Sequence, residues 1–296
     1  MTPDPASGRW LRALAIAAFV ACGVVTCARS EPATPLVGRR LVTIGGAVTE
    51  IVFALGAGAH VVAVDTSSVY PPEVTKLPQV GYQRTIATES ILALSPDLVI
   101  ASAEAGPPAA LAQLRAAGVA VTIIPVALSP EAAAARIEAI GAALDATPAA
   151  TALAARVRRD TRAALARWGT AGDRPTALVI YARGAGTTMV AGTDTAGAAM
   201  LALAGARNPA TFTGYKPLSP EALVEAAPDV IVVPSRGLAT IGGEAGLLAL
   251  PGVAATPAGR ARRFVAMDDL LLLGFGPRLA TAIDELADRL AGRTGT

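Results

Sequence analysis

The chain has 296 residues, of which 53% are hydrophobic and 16% charged, and its formal net charge is +2. This length favours one large domain or two of modest size, and the composition excludes a disordered chain. The near-balance of charges lacks the basic character that nucleic-acid binding requires. One histidine, His60, and two cysteines, Cys22 and Cys27, exclude a histidine-cluster metal site, a zinc ribbon and a disulfide framework.

The amino-terminal segment has the pattern of an export signal. Arg9 and Arg12 precede a run of uncharged, mostly apolar residues, 13–28, which is shorter than the roughly 20 residues that span a bilayer. A basic start, a short apolar stretch and small residues after it are typical of a secretory signal peptide. We therefore predict that residues 1–33 are a signal peptide, cleaved after one of residues 28–33, and that the mature protein is exported.

The two cysteines leave a second interpretation open, in which one of them carries a lipid anchor. The residues in front of Cys27 fit a lipidation motif poorly, because that motif usually ends in Gly, Ala or Ser, and those in front of Cys22 fit no better. If the signal peptide is removed, the mature chain has no cysteine. With His60 alone, it then offers no nucleophile and base for catalysis, so we predict that it is not an enzyme.

Short apolar runs alternate with amphipathic, alanine-rich stretches after the signal. Strands are predicted at 41–44, 61–64, 98–101, 121–124, 177–181, 230–233 and 263–267, and helices at 48–56, 89–95, 107–117, 194–205, 221–227 and 276–292. This order predicts an α/β fold of two Rossmann-like lobes with mostly parallel sheets, an amino-terminal lobe at 37–146 and a carboxy-terminal lobe at 170–296.

Residues 147–169 predict one long helix between the two lobes. Thr147 suits the N-cap, Pro148 the first turn and Gly169 the position after the last turn. About 20 helical residues extend for about 30 Å, which is the width of a small domain. We expect a rigid connector that permits only a small closure of the lobes.

The two lobes share a short sequence pattern. Glu89 and Glu221 each precede a Pro-Asp pair by seven residues, and a strand follows in both cases. Each glutamate is predicted in the first turn of a short helix. There it either complements the helix dipole or marks one half of a docking surface, and the pattern itself favours neither.

The glycine-rich stretch at 55–65 imitates a dinucleotide-binding fingerprint through Gly56, Gly58 and Asp65. A true fingerprint joins a strand to the helix that follows it, whereas these glycines end a helix and lead into a strand. A dehydrogenase-like enzyme is therefore the disfavoured alternative. His60 lies in the same turn and is expected at the surface.

The loop at 64–74, VDTSSVYPPEV, follows a predicted strand, where open α/β sheets place ligands. It carries Tyr70, whose phenolate would be a hard oxygen donor suited to Fe(III). Tyrosine ionises only near pH 10 in water, so an arginine is expected beside it, and Arg84 in VGYQRT is the nearest in sequence.

At these residues the chain resembles the substrate-binding proteins of ABC importers for heme, cobalamin and iron-siderophores, and within them the heme-binding branch. The resemblance extends from about residue 39 to the carboxyl terminus. Its specific segments are VDTSSVYP, VGYQRTIATESILALSPDLVIAS, MVAGTDTAGAAMLALAGA, GYKPLSPEALVEAAPDVIVV and MDDLLLLGFGPR.

The resemblance implies a periplasmic heme carrier with heme held between two lobes as the transported ligand. It implies that Tyr70 ligates the heme iron, and that Glu89 and Glu221 pair with arginines of the ABC permease. The implied partners are hemin, the permease and ATPase of a heme importer, and an outer-membrane heme receptor upstream. A cobalamin or ferric-siderophore carrier is the alternative within the same family.

The chain departs from some heme-binding relatives in one respect, because it has no histidine after His60. A second-lobe histidine ligand, or two hemes held by a tyrosine and a histidine, is therefore in doubt. Arg84, Tyr82, Arg183 and Met189 are the remaining heme-pocket candidates.

Overall fold

The computed structural model describes residues 38–168, 174–182, 188–217 and 219–293, so the predicted signal peptide and both cysteines lie outside the described residues. The strands are β1 Leu41–Ile44, β2 Val61–Val64, β3 Gly81–Tyr82, β4 Thr85–Ile86, β5 Leu98–Ser102, β6 Ala120–Ile124, β7 Ala177–Tyr181, β8 Met189–Ala191, β9 Tyr215–Lys216, β10 Val230–Pro234 and β11 Phe264–Met267.

The helices are α1 Gly46–Ala54, α2 Thr88–Ala93, α3 Pro108–Ala116, α4 Pro130–Ala143, α5 Thr147–Trp168, α6 Ala196–Leu203, α7 Pro220–Ala226, α8 Ser235–Thr240, α9 Gly243–Ala249, α10 Pro257–Ala261, α11 Asp269–Leu273 and α12 Leu279–Leu290. Short 3₁₀ turns lie at Gly58–His60, Pro72–Lys76 and Val253–Ala255. Every predicted strand and helix is present within three residues of its predicted bounds. Helix α4, the short helices α8 to α11 and the short strands β3, β4, β8 and β9 were not predicted.

Two sheets form the two lobes, which confirms the predicted α/β class. The first sheet has the order β2-β1-β5-β6 and is wholly parallel. The second has the order β11-β10-β7-β8-β9, in which β11, β10 and β7 are parallel and β8 runs antiparallel to both of its neighbours, β7 and β9. A parallel sheet places the carboxyl ends of all its strands at one edge, and that edge is where ligands bind.

Each sheet is covered on both faces, which explains why its strands are almost continuously apolar. Neighbouring residues of β1, Leu41 and Val42, belong to different hydrophobic clusters on opposite sides of the first sheet. Leu178 and Val179 of β7 do the same in the second sheet. This alternation follows from the two-residue period of a strand.

The connector is present as α5, a helix of 22 residues that packs against α4 and α12. Thr147 was predicted as the N-cap, but it is already the first residue of the helix. The amide of Ala150 donates to the carbonyl of Ala146 at 2.9 Å, so the first helical bond starts one residue earlier than predicted. Gly169, the predicted end, lies outside the described residues.

The shared Pro-Asp pattern has one structural reason in both lobes. Asp97 accepts a hydrogen bond from the amide of Arg40 at 2.7 Å, and Asp229 accepts one from the amide of Thr176 at 2.9 Å. Each aspartate therefore ties the strand that it begins to the start of the neighbouring central strand. The repeated sequence pattern therefore reflects the same hydrogen bond between neighbouring strands in the two lobes.

Candidate ligand-binding cleft

A cleft of about 870 Å³ lies between the two lobes at the carboxyl ends of their strands. Its volume falls within the range of roughly 300–1,000 Å³ that is usual for small-molecule sites. The amino-terminal lobe contributes residues at the carboxyl ends of β1, β2 and β5, such as Gly45, Thr66 and Ser102. The carboxy-terminal lobe contributes Tyr181 at the end of β7 and Arg236 after β10.

Asp65 organises the loop that carries Tyr70. Its buried carboxylate accepts hydrogen bonds from the amide of Gly45 at 2.8 Å, from Ser67 through its amide at 2.9 Å and hydroxyl at 2.6 Å, and from the Ser68 hydroxyl at 2.8 Å. The loop thereby lies close against α1, where a Cβ on Gly46 would come within 2.6 Å of the Ser67 carbonyl oxygen. Asp65, which in the sequence imitates part of a nucleotide-binding fingerprint, therefore stabilises this loop through its hydrogen bonds.

Tyr70 lies where the two lobes meet. Its side chain is 38% exposed, and the guanidinium carbon of Arg278 is 3.6 Å from the centre of its ring, which is a cation–π contact. Arg278 in turn donates two hydrogen bonds to Glu50 of α1, at 2.8 Å and 3.0 Å. A tyrosine and a glutamate of one lobe therefore hold an arginine of the other.

The Glu50–Arg278 pair is largely removed from water, because Glu50 is only 4% exposed. Burial lowers the pKa of Arg278, but the hydrogen bonds and the charge of Glu50, together with the charges of Tyr70 and Asp268, raise it by more. The guanidinium consequently remains charged. A bidentate pair of this kind fixes the position of the arginine as well as its charge.

The arginine beside Tyr70 is therefore Arg278, not Arg84 as the sequence suggested. Arg84 lines the cleft and forms an ion pair with Glu104. Tyr82 and Met189 also line the cleft, while Arg183 lies outside the described residues. Tyr70 follows Ser67 by three residues and is not among the described residues that line the cavity.

The sequence did not single out three further side chains of the cleft, Arg136, Tyr181 and Tyr215. The two tyrosine rings pack against each other with their centres 5.9 Å apart. Burial raises the pKa of Tyr215, so its hydroxyl keeps its proton and is the poorer candidate for an anionic iron ligand. No local sequence signal marks these residues, since they lie within two ordinary strands and a helix.

Glu89 and Glu221 are both exposed in the first turns of α2 and α7, as predicted. Hydrogen bonds from its own backbone amide and from Ser219 lower the pKa of Glu221. Ser219 also caps α7 by accepting the amide of Ala222 at 3.2 Å. Because its pKa is lowered, the Glu221 carboxylate is ionised at neutral pH. His60, in its 3₁₀ turn, is half-buried.

Within the described ranges, no helix is both long enough and apolar enough to span a membrane. The model of the periplasmic binding protein family matches residues 41–271. The chain belongs to this family. A periplasmic binding protein is a substrate-binding protein, and its place is the periplasm or the outside of the cell.

Two solved structures of this family cover nearly the whole cleft-forming part of the chain. The periplasmic heme-binding protein RhuT from Roseiflexus sp. RS-1, in apo form, is 45% identical, with a TM-score of 0.83 over 86% of this chain and 98% of that one. The periplasmic heme-binding protein BhuT, in complex with two hemes, is 46% identical, with a TM-score of 0.80 over 86% of this chain and 98% of that one.

A curated relative is named for a different ligand. The vitamin B12-binding protein of Vibrio cholerae is 39% identical over 100 residues, which are 34% of this chain and 36% of that protein. The chain thus matches about a third of the length of the first curated relatives, and that similarity is local.

Proposed function

We propose that this periplasmic binding protein captures heme between its two lobes and delivers it to an ABC permease. The observation that carries the proposal is the position of Tyr70, an oxygen donor at the junction of the lobes with the Arg278 guanidinium 3.6 Å from its ring centre. The high identity to proteins described as heme-binding, spread over both lobes, supports the same ligand.

In this function Tyr70 supplies the iron ligand. The phenol oxygen forms a bond to Fe(III) and releases its proton to solvent, while the water or chloride previously on the iron departs. Asp65 keeps the loop in place, and Glu50 holds Arg278 against the tyrosine ring. Tyr82 and Met189 contribute to the walls that cover the porphyrin.

Delivery rests on the two exposed glutamates. Glu89 and Glu221 occupy equivalent first turns in the two lobes, so one molecule presents one carboxylate from each lobe. Charged hydrogen bonds to permease arginines would fix the orientation of docking and speed the encounter. The same proposal includes export with cleavage of residues 1–33 and an outer-membrane heme receptor upstream. It divides the mature chain into an amino-terminal lobe at 37–146, a connecting helix at 147–169 and a carboxy-terminal lobe at 170–296.

Cobalamin is the second candidate ligand, and the local 39% identity to a vitamin B12-binding protein favours it. The two ligands differ in whether Tyr70 is proposed to bind their metal. Ferric heme gains a phenolate ligand, and its spectrum changes accordingly. Titration of the protein with hemin and, separately, with cyanocobalamin therefore distinguishes them directly.

The decisive variant is Tyr70→Phe, which keeps the ring and removes the oxygen. Hemin affinity is expected to fall by about tenfold or more, because an anionic ligand bond to the metal is lost, and the ferric-tyrosinate charge-transfer band should vanish. Absorbance titration measures both. The matched control is Tyr215→Phe, which should keep the band.

An unchanged spectrum in Tyr70→Phe would contradict the assignment of Tyr70. Tight binding of cyanocobalamin with no Soret shift on adding hemin would contradict the heme proposal as a whole. The mass of the hemin complex gives the number of hemes bound.

A further inference from the structure

Three arginines among the described residues line the cleft, and two of them are already neutralised. Arg84 pairs with Glu104. Arg236 pairs with Asp269, with 3.4 Å between Nε and Oδ2. A ligand anion gains little from a guanidinium that a carboxylate already occupies, so these two are poor anion sites.

Arg136 of α4 is different. It is 7% exposed, and its hydrogen bonds go only to neutral carbonyls, from Nε to Pro125 at 3.1 Å and from Nη1 to Gly274 at 2.8 Å. Within the described part of the chain it forms no ion pair, and its Nη2 makes no hydrogen bond. Yet Arg136 contributes to the lining of the cleft.

The two carbonyls hold the guanidinium from both lobes. Pro125 follows β6 in the amino-terminal lobe, and Gly274 follows α11 in the carboxy-terminal lobe. The side chain is therefore fixed in place before any ligand arrives. A pre-positioned group does not lose further side-chain entropy when it binds.

The charge of Arg136 is costly where it lies. Burial lowers its pKa to about 10, and the negative charge of Glu104 raises it, although that carboxylate is engaged by Arg84. Glu104, which also lines the cleft, is the acidic group whose charge acts on Arg136. A buried cation without a carboxylate partner in the protein is rare unless a bound anion neutralises its charge.

We propose that Arg136 is the anion subsite of the cleft and receives a carboxylate of the bound ligand. This assignment rests on the proposed function, in which the carboxylate is a heme propionate. A guanidinium presents a planar fork of donors that matches a carboxylate, and the free Nη2 is the donor that the cleft still offers.

The subsite separates ligands by charge and not by ring shape. Ferric protoporphyrin IX and its dimethyl ester share the iron and the ring, but the ester has no carboxylate. Wild-type protein should therefore bind hemin more tightly than the ester by about ten- to a hundredfold, the size expected for one charged hydrogen-bonded contact. Tyr70 should ligate the iron of both, so both should give a Soret shift.

The experiment is an absorbance titration of wild type and Arg136→Met with each of the two porphyrins. Arg136→Met should lose most of the preference for hemin, whereas Arg136→Lys should keep part of it because the charge remains. Arg115→Met, which alters an exposed arginine of α3, is the matched control and should keep the full preference.

Equal affinity of the wild type for hemin and the ester overturns the subsite, even if Arg136→Met fails to fold. A full preference retained by folded Arg136→Met overturns it as well. A wild-type protein that binds neither porphyrin overturns the proposed function and, with it, the propionate assignment. Binding of both with equal strength refutes the subsite alone, so the two failures are distinguishable.

Discussion

Glu50 and Arg278 form the most buried ion pair among the described residues, and they belong to different lobes. A buried pair adds little net stability over apolar residues of the same size, but the loss of one partner leaves an uncompensated charge. The pair therefore acts as a constraint on how the lobes meet. It also fixes the arginine that covers the Tyr70 ring.

Arg278→Met should destabilise the protein by about 3 kcal/mol, because Glu50 is left buried without its partner. Urea unfolding followed by circular dichroism measures this change. The double variant Glu50→Gln with Arg278→Met should be more stable than Arg278→Met alone, since it leaves no buried charge.

Arg159→Met is the matched control for that prediction. Arg159 pairs with Asp160 at 3.0 Å on the exposed side of α5, and an exposed pair of this kind contributes less than about 1 kcal/mol. Equal losses for Arg278→Met and Arg159→Met would mean that the pair between the lobes is no stronger than a surface contact.

At the level of single elements, α2 and α7 are short helices with the same place in the two lobes. Each carries an exposed glutamate in its first turn and is followed by a Pro-Asp pair that secures the next strand. The aspartates explain the repeated spacing by structure alone. The glutamates do not take part in those bonds, so a docking role remains a prediction.

Glu89→Ala combined with Glu221→Ala should abolish heme-stimulated transport while hemin binding stays intact. The reason is that two carboxylates, one per lobe, are removed from the surface that would face a permease, whereas the cleft is untouched. Stimulated ATP hydrolysis and hemin uptake in proteoliposomes with the cognate importer report the first effect, and absorbance titration reports the second.

Glu244→Ala separates docking from helix capping. Glu244 is also an exposed acid in the first turn of a short helix, α9, but it is not one of the pair. This control should transport normally. Normal transport by the double variant as well would reduce Glu89 and Glu221 to charges that complement a helix dipole.

At the scale of the whole molecule, the connector is not the sole link between the lobes. Ala127 and Ala133, which precede the connector, belong to the hydrophobic cluster on one face of the second sheet. Polar links add to it, from Arg136 to the Gly274 carbonyl and from Arg278 to Glu50. These contacts oppose a large rotation of one lobe against the other.

We therefore predict only a small closure when hemin binds. A large closure would have to break the buried contacts between lobes and bend α5, and a helix without a hinge residue absorbs little change in backbone angles. X-ray scattering of the apo and hemin-loaded protein should give nearly equal radii of gyration. A marked contraction on loading would contradict the rigid connector.

The alternation of apolar strands with amphipathic helices determined the fold class from the sequence, since each element buries its own face at its own period. The long run of helix formers at 147–169 likewise determined the connector, and the repeated Pro-Asp pattern indicated two similar lobes. Tyr70 was marked as a candidate ligand by its loop after a strand and by the family resemblance. Apart from the family resemblance, each of these signals is local, because it comes from the residues of one strand, helix or loop and those beside it.

Only the tertiary structure decided which charges meet. Arg278 lies 228 residues from Glu50, and Arg136 lies 138 residues from Gly274, so nothing local predicts either contact. The short antiparallel strands β8 and β9 escaped prediction for a related reason, because two or three residues carry no periodic pattern. Side chains on opposite lobes are brought together by how two folded cores pack, and that packing has no signature within either segment.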